Sequence, residues 1–166
     1  MIYSIAQHKE VPVSVTKKIL PISNNLGDLT RYTVWDASKK AYIGYVDLTD
    51  TENGAKVLYI KNQVPDRYKH FGEVADQIEV EHCLNRGIKN PYIHSVAARD
   101  TYVTHFLRGK RFINEDINVY LEHLTKNLQK GEKVMADFLG YQKMYMPVNL
   151  LNKIKDKIKL NPILKP

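Results

Sequence analysis

The stretch Val64-Pro-Asp-Arg-Tyr-Lys-His-Phe-Gly72 concentrates the chain's most informative chemistry. It lies between a run that reads as a strand and one that reads as a helix. A chain entering a helix presents backbone N–H groups with no intrahelical acceptor, at the positive end of the helix dipole. Such a place binds phosphate. Arg67, Lys69 and His70 add side-chain charge there, and Gly72 is expected to let the backbone approach a ligand closely. As a pattern alone, a solvated basic turn reads the same way, so the neighbouring elements have to decide.

Those elements can be read on either side. Arg31-Tyr-Thr-Val-Trp-Asp36 and Ala41-Tyr-Ile-Gly-Tyr-Val-Asp-Leu48, flanking Ala37-Ser-Lys-Lys40, predict a β-hairpin. Thr49 to Gly54 is turn chemistry throughout, and Lys56 to Val64 predicts a third strand stopped by Pro65. Three strands joined by short loops imply an antiparallel meander. After Gly72 the period changes: Val74, Ala75, Ile78 and Leu84 predict a helix from about Glu73 to Asn85, ended by Arg86-Gly87. Pro91 to Ala98 lacks polar alternation and predicts a strand covered on both faces. Asp100 is placed to cap a second helix, Thr101 to about Arg108.

A third helix, Asp116 to Gln129, carries Ile117, Tyr120, Leu121, Leu124 and Leu128 on one face, with Asn114 or Asp116 as cap and Gly131 as stop. Gly140 to Met146 reads as a last strand. Leu150, Leu151, Ile154 and Ile158 predict a terminal helix capped by Asn149 and ended before Pro162. In the first thirty residues Val11-Pro-Val-Ser-Val15 reads as strand, and no helix pattern stands out. No repeat and no Gly/Ser linker divides the sequence. The expected architecture is a single domain over 1–166 of the α+β or α/β class, a mixed, mostly antiparallel central sheet flanked by helices. Within it, 1–30 is undefined, 113–139 a helical insertion and 148–166 a C-terminal helix.

The loop Arg67 to Gly72, the helix after it, the strand Tyr92 to Ala98 and the ending His105-Phe-Leu-Arg-Gly-Lys-Arg-Phe112 together resemble the GNAT superfamily of acyl-CoA-dependent N-acyltransferases. The pyrophosphate loop of that family runs Gln/Arg-x-x-Gly-x-Gly/Ala between a splayed strand and a helix. Arg67 matches its first position and Gly72 its last, and Lys143-Met-Tyr-Met146 is similar to the family's last strand. The resemblance spans Arg31 to Phe112 and roughly Gly140 to Pro147. It implies acetyl-CoA, or another acyl-CoA, as co-substrate and no metal. The residues it places at the cofactor are Asn62, Val64, Arg67, Tyr68, Lys69, His70, Phe71, Gly72 and Glu73, with Asp100 and Thr104 at the second helix.

The reaction it implies is direct attack on the thioester by an amine, carried by a small molecule or a protein. A base must take the amine's proton. A backbone N–H near Asn62 to Val64 is expected to polarise the thioester oxygen. Four positions depart from the pattern. His70 replaces the loop's middle glycine, which implies loss of a glycine-only conformation. Asp100 replaces asparagine, and Arg111 replaces the glycine before Phe112. Counting back from Phe112 puts Leu107 where many members carry the tyrosine that protonates the leaving thiolate, and leucine donates no proton. The competing expectation is therefore a non-catalytic module holding acyl-CoA or nucleic acid on the same scaffold.

Other side chains fill in the site. On a helix from Asp100, positions 100, 103, 104 and 107 share one face, and His105 points about 140° away. His94, on the preceding strand, is the better placed candidate for catalysis, set against the plain role of a hydrogen-bonded core histidine. Glu79, Glu81, His82 and Cys83 share one helix without metal-ligand spacing, and a mid-helix cysteine is usually core. No Walker A sequence is present. Lys153, Lys155, Lys157 and Lys159 around a short apolar stripe read as a docked terminal helix with solvated lysines. Tyr42, Tyr45 and Tyr59 read as strand packing rather than base stacking.

Length and charge set the outer bounds. The chain of 166 residues, 43% hydrophobic and 26% charged, is long enough for a real core and excludes collagen-like, low-complexity and disordered classes. With 25 Lys and Arg against 18 Asp and Glu, its net charge of +7 favours an anionic partner without choosing between nucleotide cofactor, lipid and nucleic acid. Nucleic acid is the less favoured of these. The lone Cys83 excludes an intrachain disulfide. No apolar run is long enough to span a bilayer, and the first ten residues lack a signal-peptide pattern, so a cytoplasmic location is expected.

Overall fold

The computed structural model describes residues 1–21, 28–98, 100–128 and 140–160, with 159 and 160 as backbone only. Expectations at Gln129, Gly131, Pro162 and the Lys159 side chain lie outside the described residues, as do residues 129–139 of the segment 113–139 and the end of 148–166. By its internal contacts the chain divides into two compact units, residues 1–93 with 153–166 and residues 94–152.

The first unit is built on an antiparallel meander of β3 (Val13–Pro21), β4 (Asp28–Asp36), β5 (Ala41–Thr51) and β6 (Gly54–Asn62), each paired with the next. The expected hairpin and third strand are present. The turn after β5 is tighter than Thr49 to Gly54, because pairing runs out to Thr51 opposite Gly54. β6 also ends at Asn62 rather than Val64. The Asn62 side chain accepts from Val64 N–H (3.0 Å) and folds the backbone out of the ladder. At the other turn Asp36 accepts from Ser38 N–H and Lys39 N–H, an Asx turn that closes β4 onto β5.

The first residues form two strands that the sequence left undefined, β1 (Ile2–Ser4) and β2 (Lys9–Val11), in a small sheet with β7 (Tyr68–Lys69). Helix α1 (Phe71–Asn85) packs on one face of the meander, burying Val74, Ala75, Ile78 and Cys83 with Tyr32, Val34, Val46 and Ile43. It begins two residues before the expected Glu73.

The second unit carries β8 (Tyr92–Ala97, from His94), α2 (Tyr102–Leu107), β9 (Arg111–Phe112), α3 (Glu115–Thr125) and β10 (Gln142–Tyr145). β10 lies between β8 and β9 and is antiparallel to both. Ala97, Tyr102, Val103, Phe106, Phe112, Ile117, Leu121 and Met144 form its core, with Leu124 packed against them. Asn118 ties α3 to β9, accepting from Phe112 N–H (2.7 Å) and donating to Phe112 C=O (2.8 Å). Helix α4 (Val148–Leu160) follows and buries Leu150, Leu151 and Ile154.

Several local expectations are corrected. β8 is not covered on both faces: Ile93, Ser95 and Ala97 are buried, whereas Tyr92 and Val96 are exposed. Asp100 does not cap α2; Thr101 holds the cap position and its hydroxyl donates back to Ala98 C=O. Asn114 does cap α3, accepting from Asp116 N–H, but the helix stops at Thr125 and leaves Tyr120 exposed. α4 starts before Asn149, with Leu151 N–H donating to Pro147 C=O. Of its lysines, Lys155 is not simply solvated: its Nζ donates to Lys89 C=O and to Asn90 Oδ1. The expected mixed, mostly antiparallel sheet flanked by helices is what the chain forms.

Candidate functional site

The basic loop is held by four separate ties. Asn62 Nδ2 donates to Tyr68 C=O (2.8 Å), crossing the loop's neck. Arg67 and Tyr68 N–H both donate to Val64 C=O, closing a turn over Pro65-Asp66. The Tyr68 hydroxyl donates to the fully buried Asp36 Oδ2 (2.7 Å). Finally, β7 pairs with β1, and Ile5 N–H donates to Arg67 C=O (2.9 Å). Burial by itself would raise the Asp36 carboxyl, yet the bonds from Tyr68, Ser38 and two backbone N–H groups leave it below its ordinary value. Burial and the Asp36 acceptor push the Tyr68 phenol up to about 12, so it stays a donor at any physiological pH.

The loop enters α1 through His70, whose backbone sits at φ 68, ψ 25. Replacing the middle glycine has therefore not removed the left-handed turn. The imidazole lies against Tyr3, ring centroids 5.7 Å apart, and helps hold it. Gly72 sits inside the first turn of α1 and is not among the residues with positive φ. The conformational freedom expected of Gly72 is exercised at His70 instead. The helix has no side-chain cap, and Glu73 N–H donates to His70 C=O (3.2 Å). The N–H groups of Phe71 and Gly72, which precede it in the first turn, have no intrahelical acceptor.

Around this entry Arg67, Lys69, His70 and Glu73 are exposed, while Tyr68 and Phe71 are buried. Phe71 serves the core, its ring lying beside Gly44 of β5. Val64, Arg67 and Tyr68 also line a cavity of about 290 Å³ with Ser4, Lys39 and Tyr42. Lys39 and Tyr42 come from the β4–β5 turn and β5, and no motif in the sequence pointed to them. Lys69, His70 and Glu73 do not line that cavity. Near the end of β6, Gln63 N–H donates to Ile43 C=O and Val64 N–H to Asn62 Oδ1. Both are engaged within the chain.

Of the other candidates, His94, Asp100, Thr104, His105 and Leu107 belong to the second unit, and His82 and Cys83 to α1 of the first. His94 is half-buried on β8, directly opposite Tyr145 of β10. Antiparallel partners present their side chains on the same face, so the two titratable groups are neighbours. Tyr145 was not singled out in the sequence, where it reads only as strand. Asp100 and Thr104 are exposed, as is Leu107. His105 is pushed down to about 3 by burial and by Lys110 and Arg108, which makes it a poor base at neutral pH. Burial pushes the Cys83 thiol up to about 12, which suits a core residue rather than a nucleophile. The buried His82 links the core to the surface: Nδ1 meets the Tyr32 hydroxyl at 2.7 Å and Nε2 meets the exposed Asp50 Oδ1 at 2.6 Å.

Among solved structures, the chain is similar to an acetyltransferase of Bacillus subtilis in complex with CoA. That match has a TM-score of 0.51 at 12% identity and covers 81% of this chain and 99% of that one. It is also similar to an acyl-CoA N-acyltransferase from Pseudomonas aeruginosa (TM-score 0.47, 11% identity, 74% and 70% covered). A third is nourseothricin acetyltransferase (TM-score 0.46, 11% identity, 82% and 88% covered). No family model matches the sequence. No curated protein sequence matches it either. The resemblance read from the residues holds at the level of fold: the chain shares its fold with the CoA-bound acetyltransferase of Bacillus subtilis. No helix among the described residues is long and apolar enough to cross a membrane.

Proposed function

We propose that this protein binds acyl-CoA, acetyl-CoA first among candidates, and transfers the acyl group to an amine. The observation that carries this reading is the entry to α1. A preorganised left-handed turn at His70 opens a helix whose first N–H groups are uncapped by side chains, with Arg67 and Lys69 exposed beside it. A pyrophosphate needs that combination of oriented donors and mobile cations. Asn62 and Tyr68 act in this reading as positioning residues, since their polar atoms hold the loop. The fold supports the same assignment.

In the reaction, the neutral amine nitrogen attacks the thioester carbonyl, the C–S bond breaks, the amine loses a proton to a base and the thiolate gains one. The side chains of the second unit enter as a separate proposal: His94 as the base, and Tyr145 opposite it as a group able to supply a proton where Leu107 cannot. Val64 N–H, already committed to Asn62, is not assigned the thioester oxygen.

Calorimetric titration with acetyl-CoA tests the reading. Arg67→Ala and Lys69→Ala should each weaken binding by about tenfold, the size of one charge-assisted bond. Thiol release in the presence of an amine panel then tests transfer. Binding without thiol release from any amine would leave a CoA-binding module, and no binding would refute the proposal.

A further inference from the structure

The two faces of the β3–β6 meander differ sharply. One carries α1. The other presents Trp35 directly opposite Tyr42, Tyr45 opposite Lys61, and Tyr59 opposite Asp47. Tyr59 is 65% and Tyr42 40% exposed, values that pleated packing does not explain. Strand packing therefore leaves much of both rings open. Trp35 and Tyr42 meet edge to face at 5.5 Å, and Tyr45 lies beneath the Arg31 guanidinium at 4.2 Å. Arg31 is fixed there by a bidentate pair with the buried Asp47, both contacts 2.8 Å.

Cations surround these rings. Lys18 stands opposite Arg31 on β3, and Lys56 and Lys61 flank Tyr59 on β6; all three lysines are exposed. At the far end Tyr42 also lines the cavity that holds Lys39 and Arg67, so the basic rim continues past the sheet edge. Beside the rings lie the hydroxyls of Ser14, Thr16 and Thr33, on the same face by register, with Thr16 Oγ1 accepting from Trp35 Nε1.

We infer that this open sheet face binds single-stranded RNA. Exposed rings on a sheet offer stacking surfaces to unpaired bases, a guanidinium plane held over a ring does the same, and perimeter lysines track phosphates. Hydroxyls beside the stacking rings suit the ribose 2′-OH, which DNA lacks. A second copy of the chain fits poorly. Two-fold pairing would set Lys18, Arg31, Lys56 and Lys61 of one copy against the same residues of the other. The site meets the acyl-CoA loop only at its Tyr42 end, and its Tyr59 end tests it independently of that loop.

Trp35 is the chain's single tryptophan, so its fluorescence reports on this face alone. The full chain is titrated with a mixed-sequence 12-mer RNA, the matching DNA, the RNA duplex and heparin. The single-stranded RNA should quench Trp35 and bind at least about threefold tighter than the DNA and well above the duplex. Tyr59→Ala and Tyr42→Ala, both at exposed positions, should weaken RNA binding by about 5- to 20-fold, and Tyr59→Ala, remote from the cavity lined by Arg67, should leave acetyl-CoA titration unchanged. With three free perimeter lysines, log K should fall against log salt with a slope near −2, shallower by about 0.7 in Lys61→Ala. The inference is overturned by equal binding of heparin without quenching, by equal or tighter DNA binding, or by tyrosine variants that bind RNA normally. Self-association lost in Tyr59→Ala, without RNA binding, would overturn it in favour of a dimer contact.

Discussion

His70 offers the sharpest test of how this chain shapes its loop. A residue with a Cβ at φ 68 is strained by about 1–2 kcal/mol relative to its right-handed conformation, and glycine is not. Elsewhere in a structured segment, glycine is worse than alanine by about 0.5–1 kcal/mol, because its unfolded chain is freer. His70→Ala and His70→Gly both lose the ring contact with Tyr3, so that loss cancels between them. The strain and the entropy remain and oppose each other. Taking the middle of each range leaves the glycine variant about 0.5–1 kcal/mol more stable than the alanine variant. In a chain of this length that is about 1–4 °C in thermal midpoint, and a urea midpoint should move the same way. The same pair reads on function. If the backbone at the α1 entry grips the cofactor, His70→Gly keeps acetyl-CoA affinity within a few-fold, while His70→Ala loses more by relaxing the turn. An alanine variant at least as stable as the glycine variant would mean that the turn is not enforced at this residue, and the reasoning from its backbone would fail.

Other outcomes follow from the buried polar groups and the tight sheet. Burial holds both His82 and His105 below the ordinary histidine value, the latter to about 3. The unfolded chain therefore takes up their protons first. Stability should hold above pH 6.5 and fall as pH drops below it, by about 1.4 kcal/mol per pH unit for each histidine that stays neutral in the folded state; urea midpoints flat between pH 7 and 5.5 would contradict this. Tyr32→Phe and His82→Leu each strand a partner of the 2.7 Å buried bond and should cost about 1–3 kcal/mol, but the double variant much less than their sum. Additive losses in a double-mutant cycle would count against that coupling. Gly44→Ala would bring a methyl to 2.0 Å from the Lys61 carbonyl oxygen, which is backbone and cannot rotate away. A loss of about 3 kcal/mol is expected from forcing β5 and β6 apart, and a calorimetric midpoint within 2 °C of the parent would refute it.

The meander was legible because its signals agree: β-branched and aromatic runs, polar turns and a proline stop all point one way. Element edges were less so. Asn62 ends β6 with its own side chain, a local competition that a strand pattern does not display. Thr101 rather than Asp100 caps α2, and both residues are good caps on composition alone. The arrival of β7 beside β1 was invisible, since a two-residue strand takes its identity from its partner. Arg67 and Gly72 marked the loop, but the left-handed residue between them was misread. Steric preference argues against histidine there, and only the ties through Asn62, Tyr68 and Tyr3 over-determine it.

The same limit explains the tyrosines. Alternation along a strand says which residues share a face, but not whether anything covers that face. On β4, Tyr32 and Val34 go under α1, while Arg31, Thr33 and Trp35 go to the open side. Both sets look alike in the sequence. The meander therefore does two jobs through one register. Its covered face anchors α1, and with it the turn at His70. Its open face carries rings and cations that the covered face does not need. A substitution such as Tyr59→Ala, on the open side, should leave the α1 entry intact, whereas Tyr32→Phe reaches α1 through His82. If Tyr59→Ala weakened acetyl-CoA binding as much as Arg67→Ala does, the two faces would not be independent, and the assignment of separate roles to them would have to be abandoned.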